Sequence, residues 1–160
     1  MWPLTIFSQN ASVCNNPFYL SNYTKPQVDS ILSGDKYLWL KNLTYDCNEN
    51  HFIIKDSANM FYIHPSFNGK EYSCFWIIKT SFIRINLRET GIVPVYEGPA
   101  TNFKKAIVID VKKDHMQGRS LTIHNCRKDW YKVTFKYGKA SITGWIQAKD
   151  LCANPCSTCS

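Results

Sequence analysis

The sequence predicts an all-β protein in which a small C-terminal barrel follows a mainly β region containing one short helix. Apolar and polar residues alternate with the period of two that a half-buried strand requires, most regularly over residues 131–137. Turn-forming Gly, Asn and Asp residues separate these short runs. Aromatic residues make up 14% of the 160 residues, so a short chain has large rings with which to fill a core.

One helix and several strands are predicted in the first half of the chain. Thr24 can cap a helix that has Pro26 in its first turn and ends at Gly34. Pro65 is expected to end the strand that precedes it, and Asn68-Gly69 to form a tight turn. Strands rich in β-branched and aromatic residues are predicted at 37–40, 52–54, 60–63, 72–80 and 82–87.

The second half has more regular strands, predicted at 107–111, 121–124, 131–137 and 142–146. Residues 131–137 have one apolar and one basic face, and Gly138-Lys139 makes the following turn. No Pro/Gly/Ser-rich linker divides the halves, which leaves open whether they share a core. We divide the chain into a mainly β region (1–84), the barrel (85–151) and a Cys-rich tail (152–160).

Four motifs follow one another in the barrel region. In chain order they are Ile85-Asn86-Leu87-Arg88, Gly98-Pro99, Asp129-Trp130-Tyr131-Lys132-Val133 and Gly144-Trp145-Ile146. Their order and spacing resemble the bacterial SH3 (SH3b) domain over residues 85–151. The chain departs from that pattern in a longer, more polar loop at 112–119 and in the added Cys126 and Cys152. The resemblance implies an SH3-like barrel.

The resemblance also implies a non-catalytic binding protein that recognises peptidoglycan or a cell-wall-associated peptide. Aromatic rings beside the loops suit sugar and peptide contacts, and residues 85–160 hold +6 of the formal net charge of +7, which suits an anionic wall. The competing interpretation places the rings in the core. The candidate ligand-binding residues are Tyr96, Glu97, Trp130 and Tyr137.

A second hypothesis is a protein-binding inhibitor, such as an immunity protein against a cell-wall hydrolase. The chain shows no enzyme of its own, yet it has a whole additional β region. Nucleic acid is not an expected partner, because no run exceeds two consecutive basic residues and no Arg/Lys-rich stripe is present. No run of eighteen apolar residues exists, so a membrane span is not expected either.

Seven cysteines in a chain of this size favour disulfides and an oxidising compartment, periplasmic or secreted. A bridge between Cys126 and Cys152 would pin the last turn of the barrel, and Cys14 and Cys47 are the other disulfide candidates. The first residues lack the basic and long apolar regions of a signal peptide, so none is expected within this chain.

The sequence motifs that would indicate catalysis or metal binding are weaker than those that indicate a binding module. Asp46-Cys47 matches half of the Asp-Cys-Ser-Gly motif of papain-like wall peptidases, but turn and strand residues follow where a helix would lower the thiol pKa. The tail cysteines Cys152, Cys156 and Cys159 could hold zinc together with Cys126 or His124, although the ligand spacing is incomplete. The sequence therefore predicts no enzyme, no metal and no cofactor.

Overall fold

The computed structural model describes residues 19–20, 49–57, 59–67, 70–71, 74–79 and 83–152. It confirms the all-β class: these residues form short antiparallel strands and a single 3-10 turn. The predicted helix at 24–34, the strand at 37–40 and the turn at Asn68-Gly69 lie outside the described residues. So do Cys14, Cys47 and the tail beyond Cys152.

The smaller sheet is built around one central strand. Its members are β2 (Glu49–Asp56), β3 (Met60–Phe67), β4 (Lys70–Glu71) and β5 (Phe75–Ile78). Strand β3 pairs with β2 along one side; along the other it pairs with β5 through its first half and with β4 through its last two residues. The described strand β5 is shorter than the predicted 72–80.

The prediction that Pro65 ends its strand is wrong. Pro65 lies inside β3, opposite His51 of β2. It falls between the residues that pair with β5 and those that pair with β4. On the side of β3 that faces β4 and β5, neither strand pairs with residue 65. A proline, which has no N–H to donate, therefore removes no hydrogen bond to either of these two strands.

The larger sheet contains the remaining strands. They are β1 (Tyr19–Leu20), β6 (Ile83–Leu87), β7 (Ile92–Tyr96), β8 (Lys105–Asp110), β9 (Ser120–Arg127), β10 (Trp130–Tyr137), β11 (Ala140–Gln147) and β12 (Leu151–Cys152). Their order is β1-β6-β9-β10-β11-β7-β8, all antiparallel, and the sheet curls into a half-barrel. A 3-10 turn at Ala148–Asp150 sends the chain back, so that β12 pairs with β6.

Alternation along the strands of this sheet confirms the predicted two-faced pattern. In β10, Tyr131, Val133 and Phe135 are buried, whereas Lys132 and Lys136 are exposed. The turn between β10 and β11 is also confirmed, with Gly138 at a φ of +58°. The concave face of the half-barrel is therefore apolar, and its convex face is polar and basic.

One hydrophobic core serves both sheets. Ile53, Phe61, Ile63 and Ile77 of the smaller sheet belong to the same buried cluster as the inward residues of the larger sheet. Each such fully buried side chain contributes about 1.5–3 kcal/mol relative to exposure. Within the described ranges, no helix has the length and apolar character to cross a membrane.

Candidate functional site

Two of the predicted ligand-binding residues meet at one end of the half-barrel. Tyr96 ends β7 and Trp130 begins β10, on either side of β11. Their rings lie edge to face, with centroids 5.4 Å apart and planes at 84°. Tyr96 is buried and Trp130 is half-buried, so the tryptophan is the ring that a ligand can reach.

A third ring, Phe103, extends this end of the molecule. It lies in the loop that joins β7 to β8, where the N–H of Ala100 donates to the carbonyl of Gly98 at 3.0 Å. A Cβ on Gly98 would collide with the Phe103 ring, so the absence of a side chain lets that ring lie over the backbone. Phe103 remains 47% exposed. We call Tyr96, Phe103 and Trp130 the loop-end aromatic residues.

Sequence reasoning missed Phe103. The available signal was a large aromatic residue within a short run of turn-forming residues, where burial is difficult and exposure therefore informative. Its closeness to Gly98 depends on how the loop folds back, which residue order alone does not reveal.

Glu97 lies beside this end, directly after Tyr96. Its N–H donates to the carbonyl of Lys104 at 2.9 Å, and its carboxylate is 3.5 Å from the ammonium group of Lys104. Both side chains are largely exposed, so the ion pair contributes at most about 1 kcal/mol. The carboxylate of Glu97 therefore stays accessible to a ligand.

Tyr137, the fourth predicted residue, lies at the opposite end of β10 from Trp130. Seven residue steps at about 3.3 Å each separate the two backbone positions by ~23 Å. The Tyr137 hydroxyl is hydrogen-bonded to Asp114 of the β8–β9 loop, and this bond is the main reason that its pKa is raised above 10.0. The structure thus brings Tyr96 and Trp130 together but not Tyr137.

A polar row crosses the convex face of the large sheet. The Nε2 atom of His124 and the hydroxyl of Thr134 are 2.7 Å apart, and the hydroxyls of Thr134 and Thr143 are 2.6 Å apart. His124 is the extra residue of a β-bulge: Lys132 pairs with Asn125, but Val133 pairs with Ile123. The bulge directs the imidazole toward β10.

Partial burial of the imidazole and the nearby charge of Lys132 both lower the pKa of His124 below 6.5, with burial the larger cause. The imidazole is therefore mainly neutral at pH 7. The sequence offers His124 as a candidate zinc ligand, but Cys156 and Cys159 of that ligand set lie outside the described residues; the described contact of the imidazole is with the Thr134 hydroxyl. Nowhere in the described ranges do three His, Cys, Asp or Glu side chains gather as a metal site would require.

No protein-family model matches the chain, and no curated protein or solved structure shows significant similarity to it.

Cys126 and Cys152 are both disulfide-bonded. Cys126 is buried in β9, and Cys152 is half-buried in β12, the strand that returns to β6. The predicted bridge between these two residues stays a prediction, as do the roles of Cys14 and Cys47.

Proposed function

We propose that the protein is a non-catalytic binding module that recognises peptidoglycan or a cell-wall-associated peptide through the loop-end aromatic residues. The observation that carries the proposal is the edge-to-face contact of Tyr96 and Trp130, with Phe103 exposed on the adjoining loop. Rings held in this way present apolar surface with little conformational freedom left to lose on binding.

The ligand class rests on the resemblance to SH3b domains, which implies a small barrel, and the barrel-like sheet is compatible with that expectation. Strands β6, β9, β10 and β11 are successive neighbours in the sheet, and β12 returns to β6 after a 3-10 turn. The Gly98-Pro99, Trp130-Tyr131 and Gly144-Trp145 motifs all belong to this one sheet or its loops. Basic charge in the same region favours an anionic wall.

We also propose a periplasmic or secreted location, because structural disulfides persist in oxidising compartments. The bonded state of Cys126 and Cys152 supports this assignment. Mass spectrometry after alkylation with and without reductant tests it: a native protein whose Cys126 and Cys152 are alkylated before reduction would contradict it.

Retention on purified sacculi tests the binding function. We expect the full chain to be retained, and Trp130→Ala and Phe103→Ala each to weaken retention by about tenfold, in the range of one buried aromatic contact. Trp76→Ala is the matched control, since Trp76 is another exposed aromatic residue, at 41%, in the smaller sheet. Equal losses in all three variants, or no retention of the parent chain, would contradict the proposal.

Muramidase digestion of the sacculi separates the two ligand classes. If the stem peptide is recognised, soluble fragments that carry peptide should compete with intact sacculi, whereas peptide-free glycan should not. Competition by neither fragment, despite retention of the parent chain, would indicate that another wall component is bound.

A further inference from the structure

The convex face of strands β6, β9, β10 and β11 carries a charge pattern that the loop-end aromatic residues do not explain. These four strands contain no Asp or Glu. Their outward positions hold the cations Arg84, Arg127, Lys132 and Lys136, together with His124. Four adjacent strands without one carboxylate make a surface of a single charge sign, which favours an anionic partner.

A row of hydroxyl groups crosses the middle of this face. Cross-strand pairing places Arg84 opposite Thr122, Thr122 opposite Thr134, and Thr134 opposite Thr143. Directly paired residues point to the same side of a sheet, so one guanidinium and three hydroxyls form a single line across four strands. Arg84 is half-buried and its Nε atom is inaccessible to solvent, so this residue contributes positive charge to the row rather than that N–H donor.

Two lysines flank this row on the central strand. Lys132 and Lys136 are each two residues from Thr134 along β10, which places them about 7 Å to either side of it. Both are exposed. In the described part of the chain, neither ammonium group forms an ion pair with a carboxylate. An anion seated on Thr134 would therefore have a cation on each side.

The hydrogen bonds that link His124, Thr134 and Thr143 can leave the hydroxyl hydrogen of Thr143 directed toward solvent. When Nε2 of His124 carries a proton, it donates to the Thr134 oxygen, and the Thr134 hydroxyl donates to the Thr143 oxygen. The Thr143 hydroxyl then keeps its own hydrogen for a ligand, and Thr143 is exposed. This order suits an acceptor-only group such as phosphate.

We propose that this surface, from Arg84 across to Thr143 and flanked by Lys132 and Lys136, binds the phosphate groups of a linear polyanion that carries no bases. The site goes beyond the proposed peptidoglycan function, since it uses none of the loop-end aromatic residues. Hydroxyl and ammonium donors line the row, whose own members carry no ring on which a base could stack. The tryptophans on the same face lie beside or beyond Lys132: Trp145 is paired with Lys132 but buried, and Trp130 is packed against Tyr96. A phosphate polymer therefore fits the surface better than a nucleic acid does.

Calorimetric titration of the full chain with a linear inorganic polyphosphate, at several salt concentrations, tests this site. The double variant Lys132→Gln/Lys136→Gln should lose about tenfold in affinity, and its salt slope should fall by roughly 1.4, at ~0.7 for each lost contact with a flexible polyanion. The control Lys112→Gln/Lys113→Gln removes the same charge from the exposed β8–β9 loop and should change the affinity less than about twofold.

A hydroxyl variant provides a second readout that does not alter charge. Thr143→Val should weaken binding severalfold, and Thr143→Ser, which keeps the hydroxyl, should restore it. Equal losses of affinity in the two lysine double variants would show that net charge alone attracts the polymer. This result would overturn the proposal of a specific site.

Competition with an oligothymidylate of equal charge separates the possible phosphate sources. The polyphosphate should bind at least as tightly as the oligonucleotide; tenfold tighter oligonucleotide binding would overturn the assignment to a base-free polymer. Inorganic polyphosphate contains neither sugar nor peptide, so its binding is measured independently of retention on sacculi, and either proposal can fail alone.

Discussion

Trp130 packs edge to face against Tyr96 across the intervening strand β11, with 5.4 Å between the ring centroids. The contact requires β7 to approach β11 closely, and Gly144 provides the room. A Cβ on Gly144 would collide with Val95 and lie 2.9 Å from the carbonyl oxygen of Tyr96. The sequence motif Gly144-Trp145 therefore sets the position of the aromatic pair, whose two members lie on the strands that flank β11.

Gly144→Ala should destabilise the protein by about 1–3 kcal/mol, the usual cost of overpacking a tight contact. It should also expose Tyr96 by moving β7 away from β11. Urea denaturation followed by tryptophan fluorescence measures the loss. Gly138→Asn is the control: Gly138 has a positive φ, which Asn tolerates, and open space around it, so the change should stay near 0.5 kcal/mol. Equal effects at both glycines would contradict this account.

Asp114→Asn should lower the pKa of Tyr137 toward 10.0. The Asp114 carboxylate accepts the phenolic hydrogen bond and also repels a phenolate, and both effects raise that pKa. NMR titration of ring-labelled tyrosine, with Tyr137→Phe to assign the signal, gives the measurement. An unchanged pKa in Asp114→Asn would mean that the β8–β9 loop does not hold the Tyr137 hydroxyl in solution.

The folded state should be more stable when His124 is neutral than when its imidazole is protonated. Because the folded-state pKa lies below 6.5, the unfolded chain binds a proton more readily. This contribution to stability is complete above pH 6.5 and is lost as the pH falls through the lower folded-state pKa. Stability profiles of the parent chain and His124→Gln should therefore diverge in that window; parallel profiles would contradict the assignment.

Replacing Lys132 should raise the pKa of His124 only part of the way to 6.5, because burial is the larger cause of its depression. The comparison is Lys132→Gln against Lys136→Gln, whose charge is not among the causes of the shift. NMR titration of the imidazole protons measures both. A larger shift in Lys136→Gln than in Lys132→Gln would show that the side chains lie differently.

Phe61→Ala should destabilise both sheets together. Phe61 is fully buried in the smaller sheet, within the core that both sheets share, and such truncations cost about 3–5 kcal/mol. We expect one cooperative transition at lower denaturant concentration, followed in parallel by near-ultraviolet circular dichroism and hydrogen exchange. Early loss of protection confined to β2–β5 would show that the smaller sheet unfolds alone.

Much of the fold could be predicted because burial on one face imposes a period of two on the strands. Tyr131, Val133 and Phe135 alternate with polar residues, so sequence alone indicated both the strand and its buried side. Pro65 was misjudged because the penalty for proline depends on whether the neighbouring strand continues beside it. That pairing is a property of the sheet and not of the local sequence.

The candidate sites were less predictable, since they depend on which strands become neighbours. The sequence predicted aromatic rings beside the loops, and Tyr96 and Trp130 lie at the ends of their strands; Tyr137 could be separated from them only once the extent of β10 was known. The row from Arg84 to Thr143 depends on the registers of three strand pairs, β6 with β9, β9 with β10, and β10 with β11. These registers could not be predicted from the sequence. Threonine in a strand is common, so each residue alone carried no functional signal.

The bulge at His124 gives strand β9 one position where chain length can change. Removing His124 would join Ile123 directly to Asn125, and each would keep its present partner on β10. A deletion at any position between Leu121 and Ile123 would instead turn the following core residues outward. In proteins that have evolved from this chain, single-residue deletions in β9 should therefore be found at position 124. Each such deletion would remove the imidazole.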